Sequence, residues 1–318
     1  MTVLVTGGAG YIGAHLVRVL AEAGRAVVVV DDLSTGDTAR VGDVPLVRLD
    51  LAETPSVDVL VETLRTYDVR EVVHFAARKN VPESVQRPTW YAQQNIGGLA
   101  NLLDAMRAAE VTRIVFSSTA AVYGSPDSSV TEADPTIPVN PYGWTKLAGE
   151  WLVRDAAAAW GFRAVALRYF NVAGAGWPDL GDRQVANLVT MVLDKIDRGE
   201  LPEVFGNDYP TPDGTCVRDF VHVMDLVHAH IAALDIDEPW TIANVGTGRG
   251  ASVLEVVRGL QHVAGCGDDV VWAPRRPGDP AAVVADPARM TSLGWRAERG
   301  LDEVLADAWD AWRQPASG

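Results

Sequence analysis

At 318 residues the chain can bury one large core or two smaller ones, and 48% apolar with 22% charged residues is ordinary for a soluble globular protein. A net charge of −15 argues against nucleic acid or an anionic membrane as partners, so an anionic ligand must be gripped by a few local cations. Two cysteines, Cys216 and Cys266, are too few for a disulfide framework and have no metal spacing; with no basic leader and no long apolar stretch, the expected setting is a reduced cytoplasm.

The first half alternates strand and helix. An apolar strand at 3–6 turns on glycines into a helix at 11–23 that carries Ile12, Leu16, Val19 and Leu20 on one face. The continuous apolar run 26–30 ends in Asp31-Asp32 and reads as a strand buried on both faces. Further strands are expected at 45–49, 71–75, 113–117 and 163–167, with helices near 55–65, 84–109 and 140–160. This alternation predicts an α/β fold built on a Rossmann-type doubly wound parallel sheet with right-handed crossovers. From Asn171 onward the chain is turn-rich, notably around 174–181 and 206–214, with short helices near 185–198, 222–234, 252–264 and 301–312. The expectation is a dinucleotide-binding domain over 1–170, to which about 220–247 returns, and a smaller mixed α/β substrate-binding domain over 171–318.

Gly7, Gly10 and Gly13 lie between the first strand and its helix, where a glycine turn aims backbone N–H groups and a helix N-terminus at a pyrophosphate. Asp31, ending the next strand 18 residues past Gly13, is placed to bond both adenosine ribose hydroxyls and to repel a 2′-phosphate, which favours NAD over NADP. Asp50 is placed for the adenine amino group or, alternatively, as a plain helix cap.

Tyr142 and Lys146 stand one helical turn apart, so a phenol and an ammonium share a face. To act as a base near neutrality the phenol needs a depression of about 3 units, or about 4 kcal/mol, which an ammonium about 4 Å away supplies. Thr119 follows the strand at 113–117, where its hydroxyl would relay a proton between a substrate alcohol and Tyr142. The plain alternative is a packed Tyr142, a snorkelling Lys146 and a strand-end cap at Thr119. Of the histidines, His74, His222, His228 and His230 have no acid or cysteine cluster around them and read as structural, with no metal expected.

Gly7-Gly8-Ala9-Gly10-Tyr11-Ile12-Gly13, His74-Phe75-Ala76-Ala77-Arg78-Lys79, Ser117-Ser118-Thr119 and Asn140-Pro141-Tyr142-Gly143 resemble motifs of the extended short-chain dehydrogenase/reductase family. Leu167-Arg168-Tyr169-Phe170-Asn171, Phe205-Gly206-Asn207-Asp208-Tyr209-Pro210-Thr211, Val217-Arg218-Asp219-Phe220-Val221-His222-Val223 and Arg275-Arg276 continue the resemblance almost end to end, most closely to UDP-glucose (UDP-galactose) 4-epimerases. The resemblance implies a tightly bound NAD held by Gly7, Gly10, Tyr11, Ile12, Gly13, Asp31, Asp50, Leu51, Phe75, Ala76, Lys79, Asn95, Tyr142 and Lys146, with Thr119, Tyr142 and Lys146 catalytic. It implies a UDP-sugar contacted by Thr119, Asn171, Asn187, Leu188, Phe205, Arg218, Phe220, Arg276, Asp279 and Val283, with Arg218 and Arg276 clamping the diphosphate and Asp279 taking the uridine ribose. It also implies a homodimer formed by the helices near 84–109 and 140–160.

Dehydratases and decarboxylases resembling this motif keep an acid after the threonine, whereas this chain has Ala120-Ala121-Val122-Tyr123. Elimination therefore lacks its acid/base pair. The implied reaction is reversible inversion at C4: hydride and the O4 proton are removed, the 4-keto sugar turns over on its diphosphate tether, and hydride returns to the other face. Some features depart from the usual pattern: a short loop at 174–186, Ala186 for asparagine, Phe220 for tyrosine and Val283 for a bulky tyrosine. Val283 would widen the pocket toward 2-acetamido sugars unless neighbouring side chains refill the space. The alternatives left open are a 4-epimerase of another nucleotide sugar (UDP-N-acetylhexosamine, pentose or uronate) and a non-catalytic NAD-binding sensor.

Overall fold

The computed structural model describes residues 1–126, 129–276 and 278–314. In chain order the elements are β1 (Thr2–Thr6), α1 (Tyr11–Glu22), β2 (Ala26–Asp31), β3 (Leu46–Arg48), α2 (Ser56–Thr66), β4 (Val69–His74), α3 (Val81–Gln86), α4 (Pro88–Ala92), α5 (Gly98–Ala108), β5 (Arg113–Ser117), β6 (Ser129–Val130), α6 (Pro141–Trp160) and β7 (Arg163–Tyr169). They continue as β8 (Asn171–Ala173), α7 (Leu188–Asp197), β9 (Glu203–Phe205), β10 (Val217–His222), α8 (Val223–Leu234), β11 (Trp240–Val245), β12 (Gly250–Ser252), α9 (Val253–Ala264), β13 (Val271–Ala273), β14 (Ala282–Ala285), α10 (Ala288–Ser292) and α11 (Leu301–Trp312). The chain forms two compact units: Met1–Gly124 with Thr136–Arg168 and Ala229–Ala243, and Ser125–Pro135 with Tyr169–His228 and Asn244–Gly318.

The first unit is built on a seven-stranded sheet in the order β11-β7-β5-β4-β1-β2-β3. Its pairs from β3 through β7 are all parallel, and the winding reverses between β1 and β4, as in a doubly wound fold. Val3, Leu4, Val5, Val28, Val29, Val72 and Val73 are fully buried, which is why these strands read as unbroken apolar runs rather than alternating ones. A core of Leu60, Leu64, Leu99, Leu102, Leu103, Met106, Ile114 and Phe116 packs helices against the sheet.

The helix expected over 84–109 is broken. Arg87, forced out of the helical region by the proline after it, has φ −130° and ψ 52°, and Pro88 then restarts the helix as α4. A single π-turn at Gln93–Gly97 separates α4 from α5, and Asn95 within it is buried.

α6 runs as read. Asn140 caps its N-terminus by accepting a bond from Gly143 N at 2.8 Å, Pro141 takes the first turn, and Gly161 ends it at φ 75°. Gly149 brings α6 close to β5: a Cβ there would lie 2.7 Å from the Phe116 ring.

The second unit holds a five-stranded sheet, β12-β10-β14-β6 with β8 pairing β10, and a two-stranded β13-β9 ribbon. The sequence pattern gave α7, α9 and α11 but not the short α10 or the strands, most of which are two to four residues long and too short to establish a period. Asp219 on β10 is fully buried and accepts from Thr247 N (2.9 Å), Gly248 N (2.9 Å) and Ala285 N (3.2 Å), pinning the neighbouring loop and β14. Val189, Val192, Leu193, Phe220, Leu254, Val257, Leu260, Val304 and Leu305 form its core.

Gly149→Val should cost about 1–3 kcal/mol by overpacking α6 against the Phe116 ring. Thermal denaturation checks this; an unchanged midpoint would mean that the close approach of α6 to β5 is not a constraint.

Candidate active site

Past β1, Gly7 turns the chain at φ +71°, and a Cβ there would sit 2.7 Å from Ala76 N. A Cβ on Gly13 would lie 2.2 Å from Gly7 O, so both end glycines are demanded by packing. Gly10 differs: its Cβ would meet only Gly7 O, at 3.3 Å. The missing side chain at position 10 serves to keep bare the first amides of α1, which no side chain caps, beside Tyr11 and Ile12.

At the end of β2, Asp31 accepts from Ala9 N at 3.0 Å and Leu33 N at 2.8 Å, which fixes the carboxylate and leaves about two acceptor directions unused. Burial raises its pKa against the pull of those two bonds. Arg78 donates to Asp32, Ser34 Oγ and Gln94 Oε1, the last at 3.0 Å. Gln94 in turn donates to Asp50 Oδ2 at 3.1 Å, and Asp50 Oδ1 accepts from Ala52 N at 2.8 Å. Asp50 thus holds a turn rather than capping α2, whose N-cap is Pro55. The Leu51 side chain belongs to the core, Phe75 lies against His230 with ring centroids 4.6 Å apart, and Lys79 is exposed. Asn95 accepts from Arg78 N at 2.8 Å and donates to Thr145 Oγ1 at 3.0 Å, tying the loop after β4 to α6. Bare helix amides and an anchored carboxylate one strand away fit a dinucleotide.

The residues that carry chemistry converge where β5 ends. Lys146 is 3% exposed and donates from Nζ to Ser117 O at 2.8 Å. Thr119 caps the 3-10 turn Ala120–Tyr123 by accepting from Ala121 N at 3.2 Å, and its side chain beside the Tyr142 phenol draws that group downward. Burial pushes Lys146 down to about 7, with Glu150 opposing the shift. Although part of Tyr142 stays exposed, the protein around its phenol pushes it up to about 12, with Thr119 opposing. This corrects the expectation that Lys146 acidifies the phenol: within the chain alone, desolvation outweighs the ammonium, and the group that lowers Tyr142 is Thr119.

Sequence reasoning missed Glu150, one turn beyond Lys146 on the same face and 1% exposed. Arg168 donates to it twice, Nε to Oε1 at 2.9 Å and Nη2 to Oε2 at 2.7 Å; Ser118 Oγ also donates to Oε1, and Arg168 Nη1 donates to Tyr123 OH at 3.0 Å. The signal was present as an acid eight residues past Tyr142. His74 is buried, bonded to Thr6 Oγ1 at 2.7 Å and held down to about 3 by burial and by the Lys146 charge, so it is no base near neutrality. His230 sits 2.8 Å from Ser117 Oγ, and His222 3.1 Å from Asp307 Oδ2. Among the described residues no group of three or more His, Cys, Asp or Glu is placed to hold a metal.

In the second unit, Arg276 stacks 3.9 Å over the Phe205 ring. Arg218 is anchored by Val217 O at 2.8 Å and Pro280 O at 2.9 Å and lies 3.8 Å from Asp279. Val283 on β14 is opposite Arg218 in the parallel register, and Asn171 on β8 is opposite Phe220. Two expected ligand contacts are otherwise engaged. The Phe220 side chain is core, and Asn187 is the cap of α7, accepting from Thr190 N at 3.1 Å and donating to Asp182 at 3.0 Å, with Leu188 beginning the helix.

A model of the NAD dependent epimerase/dehydratase family matches residues 3–246. UDP-glucose 4-epimerase of Azospirillum brasilense is 45% identical over 318 residues, covering 96% of this chain and 90% of that protein. The crystal structure of UDP-glucose 4-epimerase from Brucella ovis in complex with NAD superposes with a TM-score of 0.92 at 40% identity, covering 98% of both chains. That of the Bifidobacterium longum enzyme in complex with NAD+ and UDP gives 0.89 at 38% identity, again over 98% of each. Gly10→Ala should change the melting midpoint little, within about 1 kcal/mol, yet weaken NAD binding roughly tenfold or more, whereas Gly13→Ala should lose both stability and cofactor. Calorimetric titration with NAD beside thermal melting separates the two; equal effects at both positions would contradict the cradle.

Proposed function

Because the chain belongs to the NAD dependent epimerase/dehydratase family, we propose that it interconverts UDP-glucose and UDP-galactose by inverting C4 of the hexose, with NAD resident throughout. One observation carries the choice of reaction. Thr119 stands beside the Tyr142 phenol and lowers it, while the turn that follows, Ala120–Tyr123, is apolar at its first three positions and offers no carboxylate. Proton transfer at one oxygen is provided for; elimination of water is not.

The chemistry a bound NAD supplies is reversible storage of the C4 hydride. Gly7, Gly10 and Gly13 with the α1 amides would hold its pyrophosphate and Asp31 its adenosine ribose. Tyr142 takes the O4 proton through Thr119 and returns it after the 4-keto sugar has turned over, so no net acid or base is consumed. With NAD bound, a charged Lys146 would add its field at the same edge and favour the phenolate, which the chain alone does not do. Arg218 and Arg276 grip the diphosphate as forked donors, so the hexose is tethered only at its end and presents either face.

The same reading makes the chain a homodimer joined along α6. Trp144 and Trp151 are 48% and 49% exposed and seven residues apart, which puts two large apolar rings on one stripe of that helix. No helix among the described residues is long and apolar enough to cross a membrane.

Purified protein should equilibrate the two UDP-hexoses with no added reductant, separated by chromatography; a dehydrated product, or none, would overturn the assignment. Tyr142→Phe should lower kcat by roughly 10²–10⁴. Thr119→Val removes the hydroxyl that lowers the phenol, so the acid limb of the pH profile should move up. Replacing both Trp144 and Trp151 by Glu should give a monomer by sedimentation.

A further inference from the structure

Glu150 is a fully buried carboxylate with no part in the reaction as described, and its surroundings are specific. Three consecutive residues leaving β5 each meet a different turn of α6: Thr119 stands beside Tyr142, Ser117 O is bonded to Lys146 Nζ, and Ser118 Oγ to Glu150. Tyr142, Lys146 and Glu150 are spaced four residues apart, so they form one stripe along the helix. Arg168 on β7 grips Glu150 from the far side through a forked pair, 2.7 and 2.9 Å, and is itself fixed by Tyr123 at 3.0 Å.

We propose that Glu150, held in place by Arg168, is a positioning residue: it keeps the Lys146 ammonium charged and holds Ser118 so that Thr119 stays in register with Tyr142. This rests on the acid/base roles assigned above to Tyr142 and Lys146. The groups facing Lys146 favour this assignment. On its own helix they are Tyr142 and Glu150; on β4 is His74, kept uncharged by burial; on β5 are the Phe116 ring, 5.1 Å away, and the Ser117 carbonyl. Arg168 on β7 lies behind Glu150. Glu150 is therefore the one anion in this group, and burial otherwise drives Lys146 toward its neutral form.

Lys79, Lys146 and Lys195 are the only lysines in the chain, so selective carbon-13 labelling of lysine gives three side-chain signals to titrate by NMR. The Lys146 signal is identified by its loss in Lys146→Met. In holoenzyme carrying Glu150→Gln, which keeps size and an acceptor for Ser118, the Lys146 midpoint should fall by about one pH unit or more, a tenfold loss of ammonium at fixed pH. The alkaline limb of kcat/KM should fall with it. Glu150→Gln with Arg168→Met leaves no buried charge alone and should still lower the midpoint, by less. A Lys146 midpoint unmoved in the folded variants would overturn the proposal, even if activity drops. The titration needs no sugar, so its failure is distinguishable from failure of the assigned reaction.

Discussion

The approach of one helix to the end of one strand governs this molecule. α6 comes close enough to β5 for Ser117, Ser118 and Thr119 to meet three successive turns because Gly149 presents no side chain to the Phe116 ring. Every member of the proposed reacting set is placed by that approach. Lys146 and Tyr142 come from the helix, Thr119 from the strand, and Asn95 fastens the loop after β4 to the same helix through Thr145 and the Tyr142 carbonyl. The sheet behind them is buried on both faces and rigid, which lets short polar contacts hold their geometry.

That burial acts in both directions. It makes each charge count for more, and it drives each ionisable group toward its neutral form. The phenol at about 12 and the ammonium at about 7 are the two halves of one effect. A catalytic phenolate is thus not stored in the protein by itself. In the proposed reaction the depression of the phenol would come with the charge that ligand binding brings in, linking the site's chemistry to its occupancy.

Much of this was legible in the sequence because long parallel strands announce themselves. Short apolar runs, continuous valine in β2, gave β1, β2 and β4, the glycine turn gave the start of α1, and the four-residue spacing of Tyr142 and Lys146 gave a shared face. What was missed is missed for physical reasons. The break at Pro88 needs the backbone of Arg87 to be seen, and β8, β9, β12 and β13 span three residues each. Glu150 looked like one more helix acid, because its partner Arg168 is 18 residues away on another strand. The capping role of Asn187 at α7 was not read either, because it shows only in the backbone around it.

The net charge of −15 leaves the grip on an anionic substrate to individual cations, and in the proposed reaction Arg218 and Arg276 of the second unit supply it. Arg218 is immobilised by two carbonyls and lies within reach of Asp279, so its fork has a fixed direction. Arg276 lies exposed over the Phe205 ring, its guanidinium carbon 3.9 Å from the ring centre. In the proposed reaction these two cations would hold a diphosphate that stays bound while the sugar beyond it rotates. Specificity is thereby concentrated at the end of the ligand that does not react. The reacting end needs only one proton path and one place for a hydride, and an enzyme that held the hexose as firmly as the diphosphate would stop at the ketone.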